Sequence, residues 1–469
     1  MVSFTMTING EPTSAENTFP VINPATGEIF AHAPECSRAQ LNAAMEAAQV
    51  AFVSWKKDVD ARRQVLRDCA QVIRNHSDEL ADLTTREQGK PYQNALEEIG
   101  WMLRNIEDFA GLEIPFDVLQ DDEDARIELH RKPYGVVAAI VPWNFPLMFA
   151  GWKFGQALLM GNTMVFKPSP YTPLATLRVG ELLREVLPPG VINIVSGGND
   201  LGAAMTAHPI PRKVTFTGSV ATGRKVAQSA AADLKNVTLE LGGNDPAIVL
   251  PDVNPQEVAE GLFWGAFMNT GQACIAIKRL YVHEDIYPQI VDAVAAQARK
   301  VRMGNGLDPD SQLGPLNNRM QFERVIDLVE DAKRAGARMV TGGQARAGNG
   351  YFFEPTIVTE ISDGTRLVDE EQFGPALPII PYRHIEDALE RANDTHFGLG
   401  GSIWTNDIDQ GYELAGQLEC GTAWINNHMA LSPYLQPLAG AKWSGVGHEL
   451  GTKGLETYSC LQVIRRGKH

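Results

Sequence analysis

Between residues 135 and 250 the chain alternates short β-rich runs with helix-compatible segments. The runs are 136–141, 164–166, 191–195, 214–216, 237–241 and 247–250. Strands separated in this way need crossover connections, which is the pattern of a parallel sheet covered by helices. The expected fold class is therefore α/β, with a doubly wound, Rossmann-type nucleotide-binding domain. Its ligand contacts should gather at the carboxyl ends of the strands.

A second α/β pattern starts near Asn244 and runs to about residue 445, with a helix over 255–268, a strand over 280–283 and alternation through Trp404 and Trp424. A chain of 469 residues is too long for one ordinary core, so two or more domains are expected. Upstream, Ser37-Arg38-Ala39-Gln40 has capping-box spacing, and Leu41, Met45, Ala48 and Phe52 recur at helical intervals. The stretch 60–113 is helix-like, interrupted at Gly89-Lys90-Pro91. An acidic, polar segment at 117–128 breaks the pattern and reads as a solvated loop or hairpin.

With 44% hydrophobic and 21% charged residues the composition is that of a globular enzyme, and the net charge of -16 argues against nucleic acid or an anionic membrane as partner. Cys36, Cys69, Cys274, Cys420 and Cys460 show no C-x-x-C spacing, and the histidines form no H-E-x-x-H pair, so neither a disulfide framework nor a metal site is suggested. Met1-Val2-Ser3-Phe4-Thr5-Met6 lacks a basic and an apolar leader region, and the apolar run 135–141 is too short to span a bilayer. A reducing cytoplasm is the expected compartment.

Chemistry concentrates in two segments, Leu239-Glu240-Leu241-Gly242-Gly243-Asn244 and Asn269-Thr270-Gly271-Gln272-Ala273-Cys274. A thiolate is a strong nucleophile toward a carbonyl carbon, and a nearby carboxylate can activate the water that later releases the acyl group. On its own, Cys274 would read as a buried structural cysteine and Glu240 as a salt-bridged strand-end carboxylate. Gln272-Ala273-Cys274 also partly matches a caspase signature, which Ile275-Ala276 then breaks. The glycines after Glu240 let backbone come close to a ligand.

Together these segments resemble the aldehyde dehydrogenase superfamily, in its non-acylating, hydrolytic form. The resemblance implies that Cys274 is the nucleophile and Glu240 the general base; relatives that transfer the acyl group to coenzyme A typically lack that glutamate. In Pro142-Trp143-Asn144-Phe145-Pro146 it implies that Asn144 is an oxyanion donor, with the Cys274 N–H as the second. NAD or NADP is the implied cofactor, held by Trp143, Lys167, Ser169, Gly218, Ser219, Glu371 and Phe373. Lys167-Pro168-Ser169 would face the adenosine ribose, and the turn after Phe216, which is not a G-x-G-x-x-G fingerprint, would place a helix N-terminus near Ser219 against the pyrophosphate. In Glu370-Glu371-Gln372-Phe373-Gly374-Pro375, Glu371 would bind the nicotinamide ribose and Phe373 pack on the ring. Asn426 and Gly445-Val446-Gly447-His448-Glu449 also fit, Glu449 as part of a proton path.

The sequence departs from the family at three places. Pro170 stands where many NAD-preferring members have a glutamate for the ribose 2′-hydroxyl, which opens the way to NADP. Pro437-Leu438-Ala439-Gly440 replaces the common Pro-Phe-Gly-Gly, and the loop 429–436, individual to this chain, shapes substrate choice. Phe145, Phe149, Trp152, Ile275 and Leu438, each also plausible as plain core, should surround an apolar tunnel with no arginine for a substrate carboxylate. The implied reaction is oxidation of an aliphatic or aromatic aldehyde to its carboxylic acid, through a cysteine thiohemiacetal and thioester. Two rivals are acyl transfer to coenzyme A and a binding protein that kept the fold and lost turnover. Residues 1–114 and 133–243 would form the dinucleotide-binding domain and 244–445 the catalytic domain. Residues 115–132 and 459–469 would form an oligomerisation extension, giving a homodimer or homotetramer.

Overall fold

The computed structural model describes residues 4–467; residues 1–3 and 468–469, at the ends of the expected domains, lie outside the described residues. The strands of the first part are β1 (Met6–Ile8), β2 (Glu11–Thr13), β3 (Asn17–Asn23), β4 (Glu28–Glu35), β5 (Asp117–Asp121), β6 (Ala125–Pro133), β7 (Val136–Ile140), β8 (Thr163–Lys167), β9 (Ile192–Ile194), β10 (Lys213–Thr217) and β11 (Asn236–Glu240). Those that follow are β12 (Asp245–Val249), β13 (Ile277–His283), β14 (Arg338–Thr341), β15 (Thr356–Thr359), β16 (Ala376–Tyr382), β17 (Gly400–Trp404), β18 (Thr422–Ile425), β19 (Gly445–Val446) and β20 (Ser459–Gly467).

Five of the six apolar runs form one parallel core, β11-β10-β7-β8-β9, in an eight-stranded sheet. Its edges are antiparallel: β1 and β2 extend it beyond β9, and β19 pairs with β11 on the far side. The sixth run, at 247–250, leaves this sheet. It becomes β12 in the interior of a second sheet, β14-β15-β16-β13-β12-β17-β18, parallel except at β14–β15. An apolar run specifies a doubly buried strand but not which sheet receives it.

The expected helices form over Arg38–Trp55, with the Ser37–Gln40 capping box closed in both directions, and over Val59–Asn75, Ser77–Gln88 and Tyr92–Gly111. Gly89 takes a left-handed conformation that ends the third of these, and Pro91 starts the next. Helix Pro146–Met160 is buried at every position but Met148. It lies against Tyr92–Gly111 so closely that a Cβ at Gly151 would sit 2.8 Å from the Met102 carbonyl oxygen.

The acidic segment is the hairpin β5–β6, and β20 pairs along β6 from Ser459↔Pro133 to Gly467↔Ala125, forming a separate three-stranded sheet. No helix among the described residues is long and apolar enough to cross a membrane. The core of the first sheet also takes in Ala273, Ile275 and Leu438, with Cys274 packed on its margin. The loop before β13 therefore reaches across from the second sheet to the first.

Candidate active site

The sequence between β7 and helix Pro146–Met160 cannot continue the strand, because Pro142 and Pro146 lack the donor a ladder needs. Asn144 sits in this turn, 2% exposed. Its backbone carbonyl accepts from Lys90 Nζ at 2.9 Å and from Asn269 Nδ2 at 3.0 Å. Its Nδ2 donates to the Gln272 carbonyl at 3.0 Å, which ties the turn to the cysteine loop. An amide nitrogen carries two hydrogens, so one remains for another acceptor. Lys90 is held by the buried Glu98, whose other oxygen accepts the N–H groups of Leu147 and Met148. That carboxylate thereby satisfies the start of the helix.

The cysteine loop is irregular. After helix Pro255–Phe267, Asn269, Thr270 and Gly271 take positive φ values of 51°, 59° and 72° in succession. Such a conformation is costly for residues with a Cβ and survives only where its surroundings fix it. Thr270 Oγ1 donates to the Gly314 carbonyl at 2.9 Å, and the Gln272 side chain bonds the Asn269 carbonyl and the Asn317 N–H. Lys278 Nζ donates to the Ala273 carbonyl at 2.6 Å. Cys274 is half-buried. Burial pushes its thiol up to about 12, with Glu371, Asp245 and Glu240 adding to the effect and Lys278 opposing it.

Glu240 ends β11 at 4% exposure, and among the described residues neither of its carboxylate oxygens has a hydrogen-bond partner. Burial raises its pKa well above the usual carboxylate value; the Glu449 charge adds to this and Lys153 opposes it. Glu449 is also fully buried, yet saturated. It accepts from Lys153 Nζ at 2.6 Å, Gln156 Nε2 at 2.7 Å and Thr215 Oγ1 at 2.8 Å, and it meets the Tyr458 hydroxyl. Burial would raise it, but Lys153, the Thr215 hydroxyl and Lys213 carry it below the usual value.

Gly242 and Gly243 are expected to admit a ligand to the backbone. The space is instead filled by the protein's own groups. A Cβ on Gly242 would lie 2.2 Å from Glu371 Oε2, and one on Gly243 would lie 2.6 Å from the Cys274 carbonyl oxygen. Gly243 N donates to Glu371 Oε1 at 3.1 Å, so Glu371 sits beside the junction of the Glu240 and Cys274 segments.

The other singled-out residues cluster at neighbouring strand ends. Lys167, at the end of β8, is buried, donates to the Pro168 carbonyl at 3.1 Å and is lowered by burial to about 8. Ser169 Oγ accepts from Tyr171 N. Gly218 N donates to the Glu240 carbonyl at 3.0 Å, and Ser219 caps helix Val220–Ala231 as expected. Phe373, with a φ of 46°, meets Trp143 edge-on at 5.4 Å across the two domains. Phe149 packs edge-on against Trp152 at 5.1 Å, and Phe145 is flanked by Lys90 Nζ at 4.0 Å and by Trp101 at 6.0 Å. Ile275 and Leu438 are buried in the same core.

Sequence reasoning missed Lys90, Glu98, Trp101, Lys153, Asp245 and Lys278. Only Lys153 left a signal, as the one charge in an otherwise apolar helix.

The chain matches the family described as "Aldehyde dehydrogenase family" over residues 11–464. Phenylacetaldehyde dehydrogenase of Pseudomonas fluorescens is 39% identical over 480 residues, covering 98% of this chain and 95% of the relative. Retinaldehyde dehydrogenase 3 of Homo sapiens is 38% identical over 457 residues, covering 95% and 89%. The NAD+ complex of aldehyde dehydrogenase from Bacillus cereus superposes with a TM-score of 0.97 at 38% identity, covering 99% of this chain and 97% of that one. On the match across the chain and the shared fold, the chain belongs to the aldehyde dehydrogenase family of NAD(P)-dependent oxidoreductases.

Proposed function

We propose that this enzyme oxidises an apolar aliphatic or aromatic aldehyde to the free carboxylic acid, with Cys274 as nucleophile, Asn144 as oxyanion donor and Glu240 as general base. One observation carries the reading: Asn144 Nδ2, 3.0 Å from the Gln272 carbonyl, joins the oxyanion turn of one domain to the nucleophile loop of the other.

Cys274, as its thiolate, attacks the carbonyl carbon, and the new oxyanion accepts from the free Asn144 amide hydrogen and the Cys274 N–H. The bound dinucleotide supplies the hydride acceptor. Cys274 is then left as a thioester. Glu240 takes a proton from water, hydroxide adds to the acyl carbon, and the carbon–sulfur bond breaks to free the acid. A carboxylate without partners suits this, since a raised pKa makes it a better base near neutral pH. Glu449 is the nearby acid that the family resemblance makes part of a proton path.

Trp143, Lys167, Ser169, Gly218, Ser219, Glu371 and Phe373 would hold the cofactor. The fit is supported by buried polar atoms without partners among the described residues at these strand ends, Thr217 Oγ1 and Asn144 Oδ1. Pro170 offers no carboxylate to repel a 2′-phosphate, so the cofactor is NAD or NADP. Phe145, Phe149, Trp152, Ile275 and Leu438, joined by Trp101, give the pocket its apolar character, and the two named relatives also take apolar aldehydes in their names.

Residues 1–114 and 133–243 are assigned to the cofactor domain and 244–445 to the catalytic domain. The three-stranded sheet of β5, β6 and β20, within the extension expected over 115–132 and 459–469, is assigned to a homodimer or homotetramer contact. Exposed Phe116, Val118, Leu119, Leu461 and Val463 on that sheet favour a second copy as its cover. All five cysteines are free, which suits a reducing cytoplasm.

The test is absorbance of reduced nicotinamide over an aldehyde panel, with NAD and NADP in parallel and coenzyme A as an optional acceptor. Free acid as product is expected whether or not coenzyme A is present. An acyl-coenzyme A product, or cofactor binding without reduction, overturns the reading.

A further inference from the structure

Lys278 is a buried amine, its pKa lowered by burial and supported by the charges of Glu371 and Asp245, and its hydrogen bonds among the described residues go only to the Ala273 carbonyl, at 2.6 Å, and the Gly271 carbonyl, at 3.5 Å. It makes no direct ion pair with any described residue. Both acceptors belong to the loop that presents Cys274. The lysine's own carbonyl accepts from Gln372 Nε2 at 3.1 Å, which links it to the Glu371–Phe373 segment. Its Nζ also lies 5.6 Å from the centre of the Phe373 ring.

A carbonyl needs only a neutral donor, and a glutamine would supply one. Burying a full charge costs far more than burying an amide. A charge kept at this position therefore points to something beyond bracing the loop.

The groups around it show what that is. Glu371, Asp245 and Glu240 are the acids that act on the Cys274 thiol, and Lys278 is the cation. His428, whose Nε2 lies 3.8 Å from Asp245 Oδ2, is buried and neutral, so it adds no positive charge. Arg279, the next residue, donates to the carbonyls of Asn244, Arg391 and Ala392, and its charge acts on Asp245 rather than on the Cys274 thiol. Lys153, Arg279 and Arg324 act on Glu240, Asp245 and Glu371 respectively, but Lys278 is the cation that acts on the Cys274 thiol itself.

We propose that Lys278 is a positioning residue that holds the Cys274 loop through the Ala273 carbonyl and, by its charge, favours the Cys274 thiolate against Asp245 and Glu371. The proposal rests on Cys274 being the nucleophile. It requires the thiol proton to leave to solvent and the charge to remain on sulfur.

The test is the pH dependence of iodoacetamide alkylation, read at Cys274 by peptide mass spectrometry. There the thiolate forms the sulfur–carbon bond and iodide leaves. Lys278→Gln keeps a donor to Ala273 and loses the charge. We expect its profile to move to higher pH by about one unit, with alkylation about tenfold slower at pH 7. Lys278→Arg should stay near the unmodified protein. Asp245→Asn should move the profile the other way, and it decides the matter even if Lys278→Gln does not fold. Profiles unmoved by Lys278→Gln or, where that variant is lost, by Asp245→Asn overturn the proposal. If alkylation at Cys274 leaves turnover intact, it is the nucleophile assignment that falls instead.

Discussion

Two regions deliver the site, and they do so in opposite ways. The first sheet presents Glu240 and Lys167 at the ends of regular strands paired along their length on at least one side, and Asn144 on the short turn after another. The second domain presents Cys274 on a loop with three consecutive left-handed residues, held by side chains and carbonyls from several other segments. Strand ends are positioned by the sheet itself and need no local strain. The nucleophile loop stores strain and depends on its braces.

The largest expected effect removes the side chain on which both regions converge. Cys274→Ala should lower aldehyde-dependent cofactor reduction by more than about 10⁴-fold with an unchanged thermal transition, because removal of a catalytic nucleophile is costly without touching packing. Full turnover by this variant would sink the assignment. Next, Glu240→Gln should leave acylation and stop at the thioester, giving one equivalent of reduced cofactor followed by turnover about 10²–10⁴-fold slower. Because burial raises the Glu240 pKa, its basic form is lost as pH falls through a value well above that of an ordinary glutamate. The acid limb of steady-state turnover should accordingly lie well above pH 4.3 (about the unperturbed Glu value) and vanish in the glutamine variant. A limb at the ordinary position would show that Glu240 is not the base.

Asn144→Ala should reduce kcat by about 10²–10³-fold, or on the order of 2.7–4 kcal/mol, with KM little changed. A change confined to KM would make Asn144 a binding residue only. The smallest effect separates the two regions most cleanly. Gly271→Ala meets both a φ of 72° and the Gly374 carbonyl oxygen 2.3 Å away, so it should cost about 1–3 kcal/mol in denaturant unfolding. Thr217→Val, at the end of β10, should cost much less. Equal costs would remove the distinction between a strained loop and relaxed strand ends.

The same contrast explains what the sequence made legible. The parallel strands β7 to β11 are buried on both faces and appear as continuous apolar runs, while the interrupted helices at 60–113 carry their own punctuation in Gly89 and Pro91. Asn144, Glu240 and Cys274 stand in short segments that resemble a family. Lys278 and Asp245 could not be found this way: in sequence each is an unremarked charge beside a strand, and only tertiary packing buries them. The N-terminal strands were missed because Glu11-Pro12-Thr13 and most of β3 face solvent and show no apolar alternation. The two-residue β19 is too short for any periodicity.

That short strand has a consequence in time. β11, which carries Glu240, gains its outer neighbour only from Gly445–Val446, and Ser444 Oγ closes the junction on the Gly242 carbonyl 202 positions downstream. At translation rates of roughly 5–20 residues per second, the ribosome needs roughly 10–40 s to cover that distance. Throughout that interval the nascent chain has an open, hydrogen-bond-hungry strand edge at its future catalytic centre. An edge left open that long is a template for pairing with another chain, and any pause in synthesis after residue 240 would lengthen its exposure.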